Sequence, residues 1–421
     1  MKTSLRLALA IATCFVSACG DDVAPIGGAG GSGGENGGGE GTGGSGTGAG
    51  GGTPGASCGA DVAVSDLDAG SWDDRFTIAG FTGPDGIAPL VYDFAQAPDG
   101  SLVAAGRFQW LDGERIPPLM RFSEGEWQPA RADWELPAPA DGFSAIAIAD
   151  TGALALATND SFGPRDGEIW LDEGDGLVSI GSFEGQVRSL AWFDGSLWVA
   201  GVFTLDDTAI SGLAVWDGAG WLLPPSGPLD GAAYELFVDG ATLYVGGAFG
   251  QVGGIDAANV AAYDGDTWSA FDFPDAVAIF ALTADATGEL FAGGAYGPFD
   301  EASGVARWTG TDWQTLGAGL AQYETRGVVS DLVAHDGVVE ATGCFSSANG
   351  KPSRDGAAPA RGFARWDGAS WVSLADDANG EQAPWFQPLA CGDEGLSAIW
   401  DASQQRLAFA GQTLFLSLIH I

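Results

Sequence analysis

An all-β fold is predicted by three observations. Segments with the strand period of two recur in pairs, joined by Asp-Gly or similar short turns. An aromatic residue followed five positions later by Trp recurs five times, each time after such a pair. No helical period lies between these units. The residue that closes the second strand of each pair falls at 106, 158, 201, 247, 294, 343 and 411, in steps of 52, 43, 46, 47, 49 and 68. Each step therefore holds two hairpins. Four-stranded units of this length, without intervening helices, are the blades of a β-propeller, in which stacking buries faces that a lone blade leaves exposed. Seven blades are predicted, with six, eight or a truncated ring as the alternatives.

Residues 1–18 are read as an export signal. Lys2 and Arg6 make a short basic start, and Leu7 to Val16 is an apolar stretch too short to span a bilayer. It ends in Val16-Ser17-Ala18-Cys19, which resembles the bacterial lipoprotein signal. That resemblance implies cleavage before Cys19 and acylation of its thiol, and multiple acyl chains anchor a protein stably. Gly20 follows the cysteine and no acidic residue does so immediately, which points to the outer membrane.

Residues 19–57 are read as a tether. Between Gly27 and Gly55, 18 of 29 residues are glycine, and the rest are mostly small or polar. Nothing there builds a core, and ordering so much glycine costs too much backbone entropy. A coil of this length has a root-mean-square reach of about 30 Å.

Residues 58–415 are assigned to the propeller. Well-formed first hairpins are Val91–Phe108, Leu190–Phe203 and Leu236–Phe249, and the second strands of two more are Leu290–Tyr296 and Val339–Phe345; a degenerate copy spans Ala145–Asp160 and a last one Leu396–Gly411. The aromatic-to-Trp pairs are Phe122/Trp127, Trp216/Trp221, Tyr263/Trp268, Trp308/Trp313 and Trp366/Trp371. The degenerate copy keeps Trp170 but has Asp175 at the position expected for the second Trp. Leu243-Tyr-Val-Gly246-Gly247, then Tyr263-Asp264 and Trp268, resembles a kelch-type repeat. The chain from about 85 to 411 is also similar to the propeller repeats of bacterial surface lipoproteins and of the fungal cortical polarity marker. The resemblance implies the fold and no particular activity. Residues 62–82 read as one or two strands that complete the last blade and join the two ends of the chain. Residues 416–421 are expected to be an irregular tail, because Leu414 to Ile421 breaks the strand-turn pattern.

Composition removes several functions. Acidic residues number 56 against 16 basic ones, a formal charge of −40, so nucleic acid and anionic surfaces are repelled. With only Lys2, Lys351, His335 and His420, chemistry that rests on a histidine base, a lysine Schiff base or a histidine-rich metal centre lacks its raw material. The five Trp at fixed offsets are read as blade core.

Of the cysteines, Cys58, Cys344 and Cys391 remain after the signal and Cys19 are set aside. A Cys344–Cys391 disulfide is expected to pin the insertion that stretches the last repeat, with Cys58–Cys391 as the rival pairing. The recurring Asp-Gly turns (Asp194, Asp239, Asp336; Asp217, Asp264, Asp367) would offer Ca²⁺ or sugar hydroxyls a ring of carboxylates, but Asp-Gly also suits a tight turn, and that explanation is preferred. Asp66, Asp68, Asp73 and Asp74 lack the residue order of a calcium loop. No catalytic residue, metal ligand or cofactor is assigned, with Ca²⁺ as the cofactor to test. The expected function is that of a monomeric, membrane-anchored module that binds or scaffolds a protein or glycan. A glycan-active hydrolase or lyase using paired carboxylates is the alternative.

Overall fold

In the computed structural model the described residues run from 90 to 420, apart from 109, 112–113, 124–125, 131–141, 160–165, 206–207, 209, 299–300, 361, 374–396, 402–405 and 411–416. The signal, Cys19, the tether, Cys58, residues 62–82 and Cys391 lie outside them.

The structure is a β-propeller. Its first blade pairs Leu90–Gln96, Leu102–Arg107, Leu119–Ser123 and Glu126–Pro129 in that order. The fourth blade pairs Ala232–Asp239, Thr242–Ala248, Val260–Tyr263 and Trp268–Ala270; the fifth starts at Ala276–Ala284 and the sixth at Val328–His335 in the same pattern. The second and third blades share one long strand, Val178–Phe193. Residues 178–184 of it pair with Asp166–Asp172 as the outer strand of the second blade, and residues 183–193 pair with Ser196–Leu205 as the inner strand of the third. The degenerate hairpin is thus longer than its sisters, and Ser179, not Asp175, stands opposite Trp170.

A seventh sheet holds Ser397–Asp401, Arg406–Ala410 and Ser417–His420. This corrects the expectation of an irregular tail at 416–421. Residues 417–420 pair with 406–409, and β-branched Ile419 suits a strand. The innermost strands of successive sheets neighbour one another around the axis, and Ser397–Asp401 lies between Val328–His335 and Leu90–Gln96.

Two devices repeat from blade to blade. Each innermost strand of the six four-stranded blades carries a bulge at the same place, where the strand register skips Tyr92, Ser144, Arg188, Tyr234, Phe280 and Ser330. In five of the six blades the glycine that marks the repeat in sequence sits opposite the bulge, and the second blade has Thr158 there. A Cβ on Gly201 would lie 2.1 Å from the Gln186 carbonyl oxygen, and one on Gly247 2.1 Å from that of Ala232, so only glycine fits without moving backbone.

The second device is the aromatic hairpin. All five pairs expected from spacing are direct cross-strand partners, with ring centroids 5.0–5.7 Å apart. Four of the Trp then reach back to the preceding blade. Trp221 Nε1 donates to the Ile180 carbonyl (2.8 Å), Trp268 to Pro225 (2.9 Å), Trp313 to Phe271 (2.7 Å) and Trp371 to Leu316 (2.9 Å). The indole N–H of Trp127, in the first blade, is buried without an acceptor. Among the described residues the junctions from the first blade to the sixth each hold an apolar cluster, the one between the third and fourth blades being built around Phe193, Trp198, Tyr263 and Trp268.

Candidate functional site

The bulges set the chemistry near the axis. The residue after the bulge is Asp93 in the first blade, Ser189 in the third, Glu235 in the fourth and Asp331 in the sixth. Three of these act as staples to the following blade. Asp93 Oδ2 accepts from Ile146 N–H at 2.9 Å, Ser189 Oγ from Leu236 N–H at 3.1 Å, and Asp331 Oδ2 from Ala398 N–H at 2.7 Å and from the Ser397 hydroxyl at 3.1 Å.

The carboxylates are half-buried, and each one shifts by desolvation first. Burial lifts the Asp93 carboxyl to about 7, opposed by the Ile146 bond and reinforced by the charge of Asp331. Burial lifts Asp331 to about 6, against its bonds to Ala398 and Leu332. Glu235 is raised well above the ordinary range by burial and then by the charges of Asp331 and Asp93. Spacing along the strands did not reveal this set, because a bulge moves the next residue out of the alternating phase. Among the described residues no group of three or more His, Cys, Asp or Glu side chains is placed to hold a metal ion.

The Asp-Gly turns act as turns. Asp194–Gly195 and Asp336–Gly337 both have positive φ at their two central residues, as a type I′ hairpin requires. Asp239 differs: it pairs with Thr242, and the loop is Gly240–Ala241. In the outer hairpins Asp217, Asp264 and Asp367 each accept two backbone N–H bonds within their own turn, which holds their carboxyls below the usual range.

Cys344 closes the second strand of the sixth blade and is disulfide-bonded. The expected partner Cys391 and its rival Cys58 are outside the described residues.

His335 and Glu340 lie at the junction of the sixth blade and the seventh sheet. The His335 ring stacks on Trp400 with centroids 3.7 Å apart and planes 7° from parallel. Glu340 is fully buried; its Oε1 accepts from Arg365 Nε at 2.6 Å and lies 3.4 Å from His335 Nε2. The Arg365–Glu340 pair joins direct cross-strand neighbours.

The corresponding junction of the first and second blades is open. Ala97 stands where the sixth blade has His335, Val103 where it has Glu340, and Ile148 where the seventh sheet has Trp400. Between the third and fourth blades the same places hold Phe193, Trp198 and Val238, packed into one cluster. Between the second and third, small Ala149 and Ala155 are met by the larger Trp192 from across the junction. With only Ala97 and Val103 on the first-blade side, where the third blade has Phe193 and Trp198, the first junction keeps a cavity of about 350 Å³. Val103, Leu119, Ile148 and Leu154 line it, with Asp99, Arg121 and Asp150 at its mouth. Arg121 is ion-paired with Asp99, whose carboxyl is held low chiefly by its bonds from Ser101. Aligning the repeats position by position would have exposed this gap in the sequence.

The sequence matches no known protein family and no curated protein. Solved structures with a similar course are propellers. The WD40 β-propeller domain of Doa1 shares 11% identity over 83% of this chain and 96% of that one, with a TM-score of 0.47. A catalytically inactive virginiamycin B lyase from Staphylococcus aureus with quinupristin shares 9% over 81% and 98%, with a TM-score of 0.47. The β-propeller domain of the Trilobed protease from Pyrococcus furiosus shares 11% over 79% and 95%, with a TM-score of 0.41.

Proposed function

We propose that this chain is a lipid-anchored protein of the bacterial outer membrane that displays a seven-bladed propeller on a glycine tether as a binding or scaffolding module. The anchor rests on Val16-Ser17-Ala18-Cys19, and the tether on the glycine run that follows. The observation that supports binding is the cavity between the first and second blades, an apolar floor with a charged mouth, as small-ligand and anchor pockets are built. The axial carboxylates are engaged in joining blades: Asp93 and Asp331 each give an oxygen to a neighbouring blade's N–H.

Two measurements test this reading. Membrane fractionation of wild type and Cys19→Ala should move the protein from the membrane to the soluble fraction, and a variant that stays membrane-bound overturns the anchor. Glycan and peptide arrays, run with and without Ca²⁺ and followed by product analysis, should give binding without turnover. Hydrolysis or elimination of any bound glycan overturns the binding module in favour of an enzyme.

A further inference from the structure

We infer that the cavity between the first and second blades is an anchor site for a single aromatic side chain of a partner polypeptide, set among basic residues. The inference rests on the binding-module reading and names its partner chemistry.

The sister junctions show what this place in the fold accommodates. Between the sixth blade and the seventh sheet it holds two stacked rings, His335 on Trp400. Between the third and fourth it holds Phe193 and Trp198, whose ring centroids are 6.3 Å apart. At the first junction Ala97, Val103 and Ile148 leave about 350 Å³ of space between the same walls. Interiors are packed to near-crystalline density, so an opening at a place that three sister junctions fill leaves the outer side of these apolar walls short of partner atoms. A planar ring entering from outside restores the contacts that the sister junctions make internally. Aromatic anchors in such pockets carry a large share of binding energy at protein interfaces.

The mouth sets the flanking chemistry. Asp99 and Asp150 outnumber Arg121, and Arg121 is already paired with Asp99. With a formal charge of −40 behind it, the rim attracts a segment carrying Lys or Arg beside the ring. An anionic or purely apolar partner gains nothing from that field.

The test uses the purified full-length protein and the peptide Lys-Lys-Trp-Lys-Lys, blocked at both ends, with an otherwise identical peptide carrying Ala for Trp. Calorimetric titration should show the Trp peptide bound about tenfold more tightly or better than the Ala peptide. Val103→Trp and Ala97→Phe copy the filling seen in the third blade, and each should weaken the Trp peptide by about tenfold while thermal melting stays at or above the wild-type value. Asp150→Asn should flatten the dependence of affinity on salt. The inference is overturned if the Trp and Ala peptides bind alike, or if a filled variant that melts normally binds the Trp peptide like wild type. Two filling variants are used so that a folding defect in one leaves the other to decide. A glycan hit on the arrays that survives both filled variants also overturns the anchor site, and it leaves the binding-module reading standing.

Discussion

The indole N–H of Trp371 donates to the carbonyl oxygen of Leu316 at 2.9 Å, tying the outer hairpin of the sixth blade to the end of the fifth. The same bond recurs at Trp221, Trp268 and Trp313. Each Trp therefore packs within its own blade and is bonded to the one before it. Trp371→Phe keeps a ring but removes the bond, and should cost about 1 kcal/mol in urea unfolding. Trp371→Ala also opens a cavity and should cost roughly 3–5 kcal/mol. Trp127→Phe is the contrast: its N–H is buried without an acceptor, so the change should be near neutral or stabilising. Equal losses at Trp127 and Trp371 would rule out the bond as the source of the difference.

The marker glycine makes a sharper prediction. Gly247→Ala drives a Cβ against the Ala232 carbonyl oxygen at the bulge, and backbone there has to shift. A loss of about 2 kcal/mol or more is expected, above the cost of a tolerated strand substitution. Gly265→Ala, in an exposed turn where a Cβ meets nothing within 4 Å, faces only its positive φ of 93° and should cost less. Thermal melts of the two variants decide the ranking.

What the chain discloses in sequence follows from what repeats. Phe122/Trp127 and its four sisters are legible because a fixed hairpin forces a fixed spacing, and Gly201 and Gly247 because a carbonyl oxygen of the neighbouring strand occupies the place of a Cβ. Asp93, Glu235 and Asp331 are not legible in this way. A bulge breaks the phase that would have identified their face, and their mutual influence crosses three blades. The cavity is hidden for another reason: it is an absence of bulk at Ala97 and Val103, which alternation alone scores as ordinary apolar strand. Ser417–His420 is not legible as a strand because it lacks the turn punctuation that the other hairpins carry.

At the junction of the sixth blade and the seventh sheet, Arg365 neutralises a fully buried Glu340. Arg365→Met leaves that carboxylate without its ion pair and should cost about 3–5 kcal/mol. Glu340→Leu combined with Arg365→Met replaces both charges by apolar groups, as the third blade does with Trp198 opposite Val215 at these two positions, and should recover most of the loss. Denaturant titration of the single and double variants measures this. A double variant as unstable as Arg365→Met would show that the junction depends on the polar pair itself.

The bonded state of Cys344 leads to a pairing that peptide mapping reads directly. Proteolysis without reductant should release one linked fragment that contains Cys344 and Cys391. A fragment joining Cys344 to Cys58 would instead assign the bridge to the N-terminal side of the chain. Native Cys344 that alkylates freely would contradict the disulfide altogether.

The axial carboxylates make stability depend on pH with a definite sign. Asp93 and Asp331 are raised from 3.8 to about 7 and about 6, and Glu235 is raised well above 4.5. A carboxyl whose pKa is raised by folding binds its proton more tightly in the folded chain than in the unfolded one. Its stabilising contribution is complete below the unfolded value near 4 and is lost as pH climbs through the folded value. The melting temperature should therefore fall between about pH 5 and pH 8, where carboxyls lowered by folding have the opposite effect only at more acidic pH. Glu235→Gln removes a charge near Asp93 and Asp331, and should raise stability at pH 8 by on the order of 2 kcal/mol while changing little at pH 5. Asp93→Asn keeps an oxygen to accept from Ile146 N–H and should act in the same direction. Melts of the three proteins across this range decide it: a wild-type curve that is flat or rises from pH 5 to 8, unchanged by either substitution, would show that these carboxyls ionise as freely as solvent-exposed ones.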